Sequence, residues 1–225
     1  MLICYTNFIL FCCSLCFYLF IDFLVTNRIE GKYYFLHFIN NALVVYYSYS
    51  DVINVYSNLY LAIDIEPSYT PLILTISLHI YHIIAYFSKL RFDDWLHHIL
   101  MIFVLIPLSI YVKAGILINH ALFFLSGLPG GIDYLLLCLT RNKLINRMSQ
   151  KNINCQLNLW MRAPGCIAHS ILAILCLRYK CVSRYVGFSE FYLSIFGIFL
   201  VYWNGIYFMN QVVQNYAINK FKQKD

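Results

Sequence analysis

The chain has 225 residues, of which 61% are hydrophobic, 18% aromatic and 12% charged, and its formal net charge is +6 at pH 7. So little polar surface excludes a soluble globular domain of this length, which could not cover itself with hydrophilic side chains. The basic residues sit at the ends of apolar runs and form no basic groove, which excludes nucleic acid as a partner.

Seven apolar runs follow one another: about 2–26, 33–50, 68–88, 95–112, 114–140, 157–177 and 186–210. Each is close to the roughly 17 to 25 residues that carry a helix across a bilayer core. They predict an all-α protein, a polytopic transmembrane helical bundle of about seven spans. The first run lacks a basic n-region and a small-x-small cleavage pattern before Arg28, so it reads as a retained span. It holds Cys4, Cys12, Cys13 and Cys16. Nine cysteines, an odd number scattered mainly through spans, indicate neither a disulfide framework nor a zinc cluster. The second run is the most polar, with Asn40, Asn41 and the Tyr/Ser string Tyr46 to Ser50. The stretch 52–66 is semi-apolar with an acidic end at Asp64 and Glu66, so the region 33–66 reads as a span, an interfacial helix or both.

Charge supports the alternation. One face collects Arg28, Lys32, Lys89, Arg91, Arg141, Lys143, Arg147, Lys151, Lys220, Lys222 and Lys224, and the other Lys113, Arg178, Lys180 and Arg184, eleven against four with Arg162 set aside. The positive-inside rule then predicts a cytosolic C-terminus and a lumenal N-terminus. The chain divides into an N-terminal segment and loop (1–32), a transmembrane bundle (33–212) and a basic cytosolic tail (213–225). Arg162, two residues before Pro164, reads as the interfacial start of the sixth run, either an anchor or a contact to a lipid headgroup.

Polar residues inside apolar runs are the informative ones, because ionisable groups there are costly and tend to be functional. His79 and His82 lie three apart and share a helix face. His97 and His98 are adjacent, about 100° apart around a helix, so at most one points straight into a given cavity. The fifth run carries Asn119 and His120, then Ser126-Gly127-Leu128-Pro129-Gly130-Gly131, then Asp133. The Gly/Pro stretch predicts an interruption of the helix that is tolerated only beside protein or a water-filled cavity.

An imidazole- and aromatic-bearing span, a short basic-acidic loop, then D-x-x-H-H from Asp94 to His98 opening the next span, and an Asn/His-bearing helix ending in an acidic position together resemble the TLC domain. That family includes translocon-associated proteins, ceramide synthases and a neuronal-lipofuscinosis protein. The likeness covers about 33–212, and its specific part is the HH span with its flanks. It implies one span ahead of a six-helix bundle, an endoplasmic-reticulum membrane, and a role in lipid metabolism or homeostasis. His97 and His98 fall on the pair that ceramide synthases require. Downstream the pattern departs: Met101 stands at or beside a Thr position, the fifth run has no Arg, and His120 is thirteen residues from Asp133.

The resemblance implies N-acyl transfer to a lipid amine, with His98 as base or nucleophile and His97 or Asp133 orienting it, chemistry that imidazole supports near neutral pH. His79, His82, Asp94, Asn119 and His120 are expected to bind or position the substrate. No metal or resident cofactor is expected, and acyl-CoA is the implied co-substrate. Membrane lipids and a second copy of the chain in a homodimer are the expected partners. Two other classes remain open. One is a non-catalytic protein of the same fold that senses, sorts or shapes membrane lipid, its imidazoles serving as interhelical contacts worth about 0.6 to 2 kcal/mol. The other is a metal-dependent intramembrane lipid hydrolase, for which His79 and His82 supply two ligands.

Overall fold

Seven helical rods account for most of the chain in the computed structural model, which describes residues 2–26, 28–90 and 92–222; the side chains of residues 2–4, 89, 93, 94 and 97 lie outside that description. The rods are α1 (Leu2–Val25), α2 (Lys32–Ser57), α3 (Thr70–Tyr86), α4 (92–111), α5 (Leu117–Arg141), α6 (Arg147–Ser183) and α7 (Phe188–Phe221). Among the described residues there is no strand. Four segments are long and apolar enough to cross a membrane: Tyr5–Val25, Leu117–Arg141, Arg147–Ser183 and Phe188–Phe221. The apolar helices Thr70–Tyr86 and Leu100–Tyr111 are shorter, so the number of rods is not itself a number of spans.

Around an apolar core, large apolar residues are exposed and many polar ones are buried. Phe8, Phe20, Phe23, Ile84, Phe103, Trp160, Val182 and Phe188 stand exposed, while His37, Asn40, Asn41, Asp51, His79, His82, His98, Asn119, His120 and His169 are buried. An apolar exterior around buried polar side chains is what an integral membrane protein presents to lipid.

Helix α2 is the central element, packed against α1, α3 and α5. Its polar residues explain why. The Tyr18 hydroxyl of α1 donates to Asn40 Oδ1 at 2.6 Å, and Asn40 Nδ2 donates to Asn41 Oδ1 at 3.1 Å. Farther along, Asp51 Oδ2 accepts from Asn119 Nδ2 at 2.6 Å, tying α2 to α5. Helix α6 packs along α7, and α7 returns against the second half of α4. The close approach depends on small residues, as membrane helices require. A Cβ at Gly165 would strike the Phe124 ring, and one at Gly205 would come within 2.6 Å of Cys166 Cβ.

Three of the rods contain a π turn: Leu100–Leu105 in α4, Phe123–Gly127 in α5 and Asn158–Arg162 in α6. Each is followed two residues later by a proline, at Pro107, Pro129 and Pro164. Proline has no N–H and its ring crowds the carbonyl four residues back, so the preceding turn widens where an α turn would clash. This corrects the expected interruption at 126–131. The Gly/Pro stretch widens the helix and leaves it continuous, with Pro129 at the start of the next regular turn, where its missing donor matters least.

The loops gather at two ends. At one, Asn142 Nδ2 donates to the Glu30 carbonyl at 2.9 Å and Glu30 N donates to Asn142 Oδ1 at 3.1 Å. Arg28, Arg141 and Lys143 line a depression there, and this is the basic end. At the other, the loop 58–69 lies over the bundle, held by Ile116 N to the Ala62 carbonyl at 2.9 Å, by the Arg184–Asp64 ion pair and by Asn119 Nδ2 to the Ser68 carbonyl at 2.8 Å. The stretch 52–66 therefore finishes α2 and enters this cap.

Candidate functional site

The half of the bundle toward the basic end encloses a cavity of about 680 Å³ to which all six rods α2 to α7 contribute. Its size falls within the range usual for ligand pockets. The polar lining comprises His37, Asn40 and Asn41 from α2, His79 from α3, His98 from α4, Ser126 and Asp133 from α5, Asn158 and Arg162 from α6, and Asn204 and Gln211 from α7. The three π turns all supply lining residues, including Met101, Leu125 and Arg162.

A second space lies against it. A slender, almost wholly apolar cleft of about 100 Å³ runs between α4, α5, α6 and α7 toward the capped end. Met101, Leu105 and Leu125 border both spaces, so the two lie against one another. Ile63 of the cap and Lys180 border the cleft as well. Lys180 is neutralised by Glu190, and its Nζ also donates to the Val112 carbonyl at 3.0 Å.

Of the residues expected to carry chemistry, His98, Asp133 and His79 come together around the larger cavity. His98 is 1% exposed, and its ring meets that of His79 edge-on with centroids 4.9 Å apart. His79 Nδ1 lies 2.7 Å from the Thr75 carbonyl. A carbonyl can only accept, so Nδ1 carries the proton, and in the neutral ring Nε2 keeps its lone pair. Asp133 accepts a hydrogen bond from Gln150 Nε2 at 3.0 Å through Oδ1. The side chains of His97 and Asp94 lie outside the described residues.

The other expected residues are elsewhere. His82 does not line the cavity. It is buried among rings, with centroid distances of 4.4 Å to Tyr33, 4.5 Å to His37 and 5.7 Å to Tyr86, and neither ring nitrogen has a hydrogen-bond partner. Asn119 belongs to the cap through Asp51 and Ser68. His120 pairs with His169 across α5 and α6, Nδ1 to Nδ1 at 3.2 Å, behind the cleft lining to which His169 belongs. Among the described residues, no three His, Cys, Asp or Glu side chains converge to hold a metal ion.

Sequence reasoning passed over His37, which stacks on Tyr134 with ring centroids 4.1 Å apart, and it misplaced Arg162. Arg162 is no interfacial anchor. It lies fifteen residues beyond Arg147, about 22 Å along α6, and faces the cavity, because α6 begins ten residues before the apolar run does. Its Nη2 donates to Asn204 Oδ1 at 3.0 Å, and Phe208 covers the guanidinium at 4.5 Å. The available signal was the polarity of the second run and of 147–158: Asn40, Asn41, Asn154 and Asn158 all line the cavity. Compared with known proteins, the chain matches no family model, no curated protein and no solved structure.

Proposed function

We propose that the chain is a lipid-handling membrane protein in which a polar chamber receives the reactive or recognised end of a lipid and the apolar cleft receives its hydrocarbon chain. The observation that carries this reading is the adjacency of a polar chamber and an apolar cleft, with Met101, Leu105 and Leu125 lining both. An amphiphile needs one polar and one apolar compartment in series, and a water-soluble substrate has no use for the second. The seven rods would all cross the membrane, with a lumenal N-terminus and a cytosolic C-terminus as the charge distribution requires. The likeness to the TLC domain adds the endoplasmic reticulum as location and acyl transfer as chemistry.

In that chemistry His98 acts as base or nucleophile toward an acyl thioester and a lipid amine. As a base it takes the amine proton while nitrogen attacks the acyl carbon. The thiolate leaves, is protonated, and an amide forms. The neighbouring His79 imidazole, held in one orientation by Thr75, would accept or return that proton. Full-length protein reconstituted in vesicles and given radiolabelled acyl-CoA with a long-chain amine should form labelled amide above the rate of protein-free vesicles. No amide from any chain length would remove acyl transfer as the activity.

A second reading, a lipid-binding protein without turnover, is favoured by the block of packed rings. Tyr33, His37, His82 and Tyr86 fill space beside the chamber, and His82 makes no hydrogen bond. Interhelical packing explains such imidazoles without catalysis. Lipid bound in the same reconstitution without amide formation would select this reading.

A further inference from the structure

Arg162 is the cation of the chamber, and among the described residues no carboxylate is in contact with it. Lys32 is paired with Asp22, Lys180 with Glu190 and Arg184 with Asp64. Among the described residues, no carboxylate lies within ion-pair distance of Arg162. Its protein partners are one amide oxygen, that of Asn204, and the face of Phe208. Its Nε is buried and donates to nothing. A guanidinium in an apolar bundle is retained only when something compensates it, and one neutral hydrogen bond does not. The chamber's carboxylate among the described lining residues, Asp133, is hydrogen-bonded to Gln150 and acts on Arg162 through the field across the chamber, without ion-pair contact.

The position is also informative. Arg162 ends the π turn Asn158–Arg162, and its partner Asn204 is one turn from Val201, which lines the apolar cleft. The guanidinium therefore stands on the chamber side, between the levels of Asn204 and Phe208 on α7, one to two turns from the cleft lining. Arginine presents a rigid fork of donors matched to carboxylate and phosphate oxygens.

We infer that Arg162, positioned by Asn204, is the binding site for an oxyanion, a carboxylate or phosphate headgroup whose hydrocarbon chain enters the cleft. This rests on the lipid-handling reading and adds the charge of the ligand to it. Phe208, itself a chamber residue, covers one face of the guanidinium, and the buried Nε supplies a donor for an incoming acceptor.

Binding of radiolabelled palmitate and lysophosphatidate to purified full-length protein in a non-ionic detergent, each against its uncharged counterpart, methyl palmitate or monoacylglycerol, tests this. At least one charged lipid should bind tenfold or more tightly than its uncharged partner. Arg162→Gln should abolish that preference and Arg162→Lys should keep part of it, with unchanged affinity for the uncharged lipid. Equal binding of charged and uncharged lipids by the unaltered protein would overturn the oxyanion site and leave the lipid reading intact, a result that needs no variant to fold. No binding of any lipid, and none of inorganic phosphate, would overturn both. Inorganic phosphate bound in an Arg162-dependent way while no lipid binds would support the oxyanion site and remove the lipid reading.

Discussion

If the chain transfers acyl groups as proposed, replacing His98 with glutamine should lower that turnover by about 10²- to 10⁴-fold, the contribution of a positioned acid-base group. The side chain is buried in the bundle and borders the chamber, where a bound substrate would meet it. Its neighbour His79 is fixed through Nδ1, which leaves one defined nitrogen to exchange a proton. Glutamine keeps most of the volume and a polar end, so the thermal unfolding of the variant should stay close to that of the unaltered protein. His82→Gln is the matched comparison. It alters an equally buried imidazole outside the chamber, and turnover should change by no more than a few fold. A His98→Gln protein that turns over normally would assign His98 to packing, alongside His82.

The second large effect concerns stability. Gly115→Ala should destabilise the fold by more than about 2 kcal/mol, a fall of at least about 4 to 8 °C in unfolding midpoint for a chain of this size. Gly115 has φ of +57°, a conformation that costs an L-residue about 1–2 kcal/mol. A Cβ there would overlap the Ala62 carbonyl oxygen and approach the Ile63 backbone within 2.8 Å. The clash is with backbone and cannot be relieved by a rotamer change, so the loop 58–69 must lift and the Ile116 N to Ala62 hydrogen bond must break. Gly187→Ala serves as control, since a Cβ there meets nothing within 4 Å. Circular dichroism of the detergent-solubilised proteins during heating separates the two. If Gly115→Ala and Gly187→Ala unfold together, the loop is not seated on the bundle as described.

Much of the helix order was legible because hydrophobic runs of span length persist through the chain and loops are short. The ends were less so. Helix α6 starts at Arg147 and not near 157, because its first three turns, Arg147 to Leu157, are polar and apolar periodicity cannot reveal them. Asn146 caps that start through Oδ1 to Ser149 N at 2.7 Å, a local signal independent of hydropathy. The stretch at 126–131 was read as a break because Gly and Pro ordinarily interrupt helices. The preceding π turn absorbs the proline, and only the third instance of the same pattern, at Pro107, Pro129 and Pro164, makes the rule visible.

The candidate site was legible in part. His98, His79 and Asp133 were singled out because an ionisable side chain in an apolar run needs a reason, and they share a chamber. The same argument picked Asn119 and His120, which serve the cap and the α5–α6 contact. Sequence spacing cannot separate these cases, because Asn119 and Asp133 lie fourteen residues apart on one continuous helix and face opposite halves of the bundle. His37 was passed over in the most polar run, and Arg162 was read as an interfacial start because the polar first turns of α6 hide how far the helix extends before it.

The central claim, that chamber and cleft together hold one lipid, is tested most directly by native mass spectrometry of the full-length protein released from lipid nanodiscs. Ser194 lines the cleft from α7, where its hydroxyl bonds only to the Glu190 carbonyl of its own helix at 2.7 Å. Phenylalanine at that position puts a ring into the space meant for the hydrocarbon chain. The unaltered protein should retain a stoichiometric lipid mass after activation strips the annular lipid, and Ser194→Phe should lose it. A protein that carries no retained lipid, or a Ser194→Phe variant of unchanged thermal stability that retains it fully, would contradict the account.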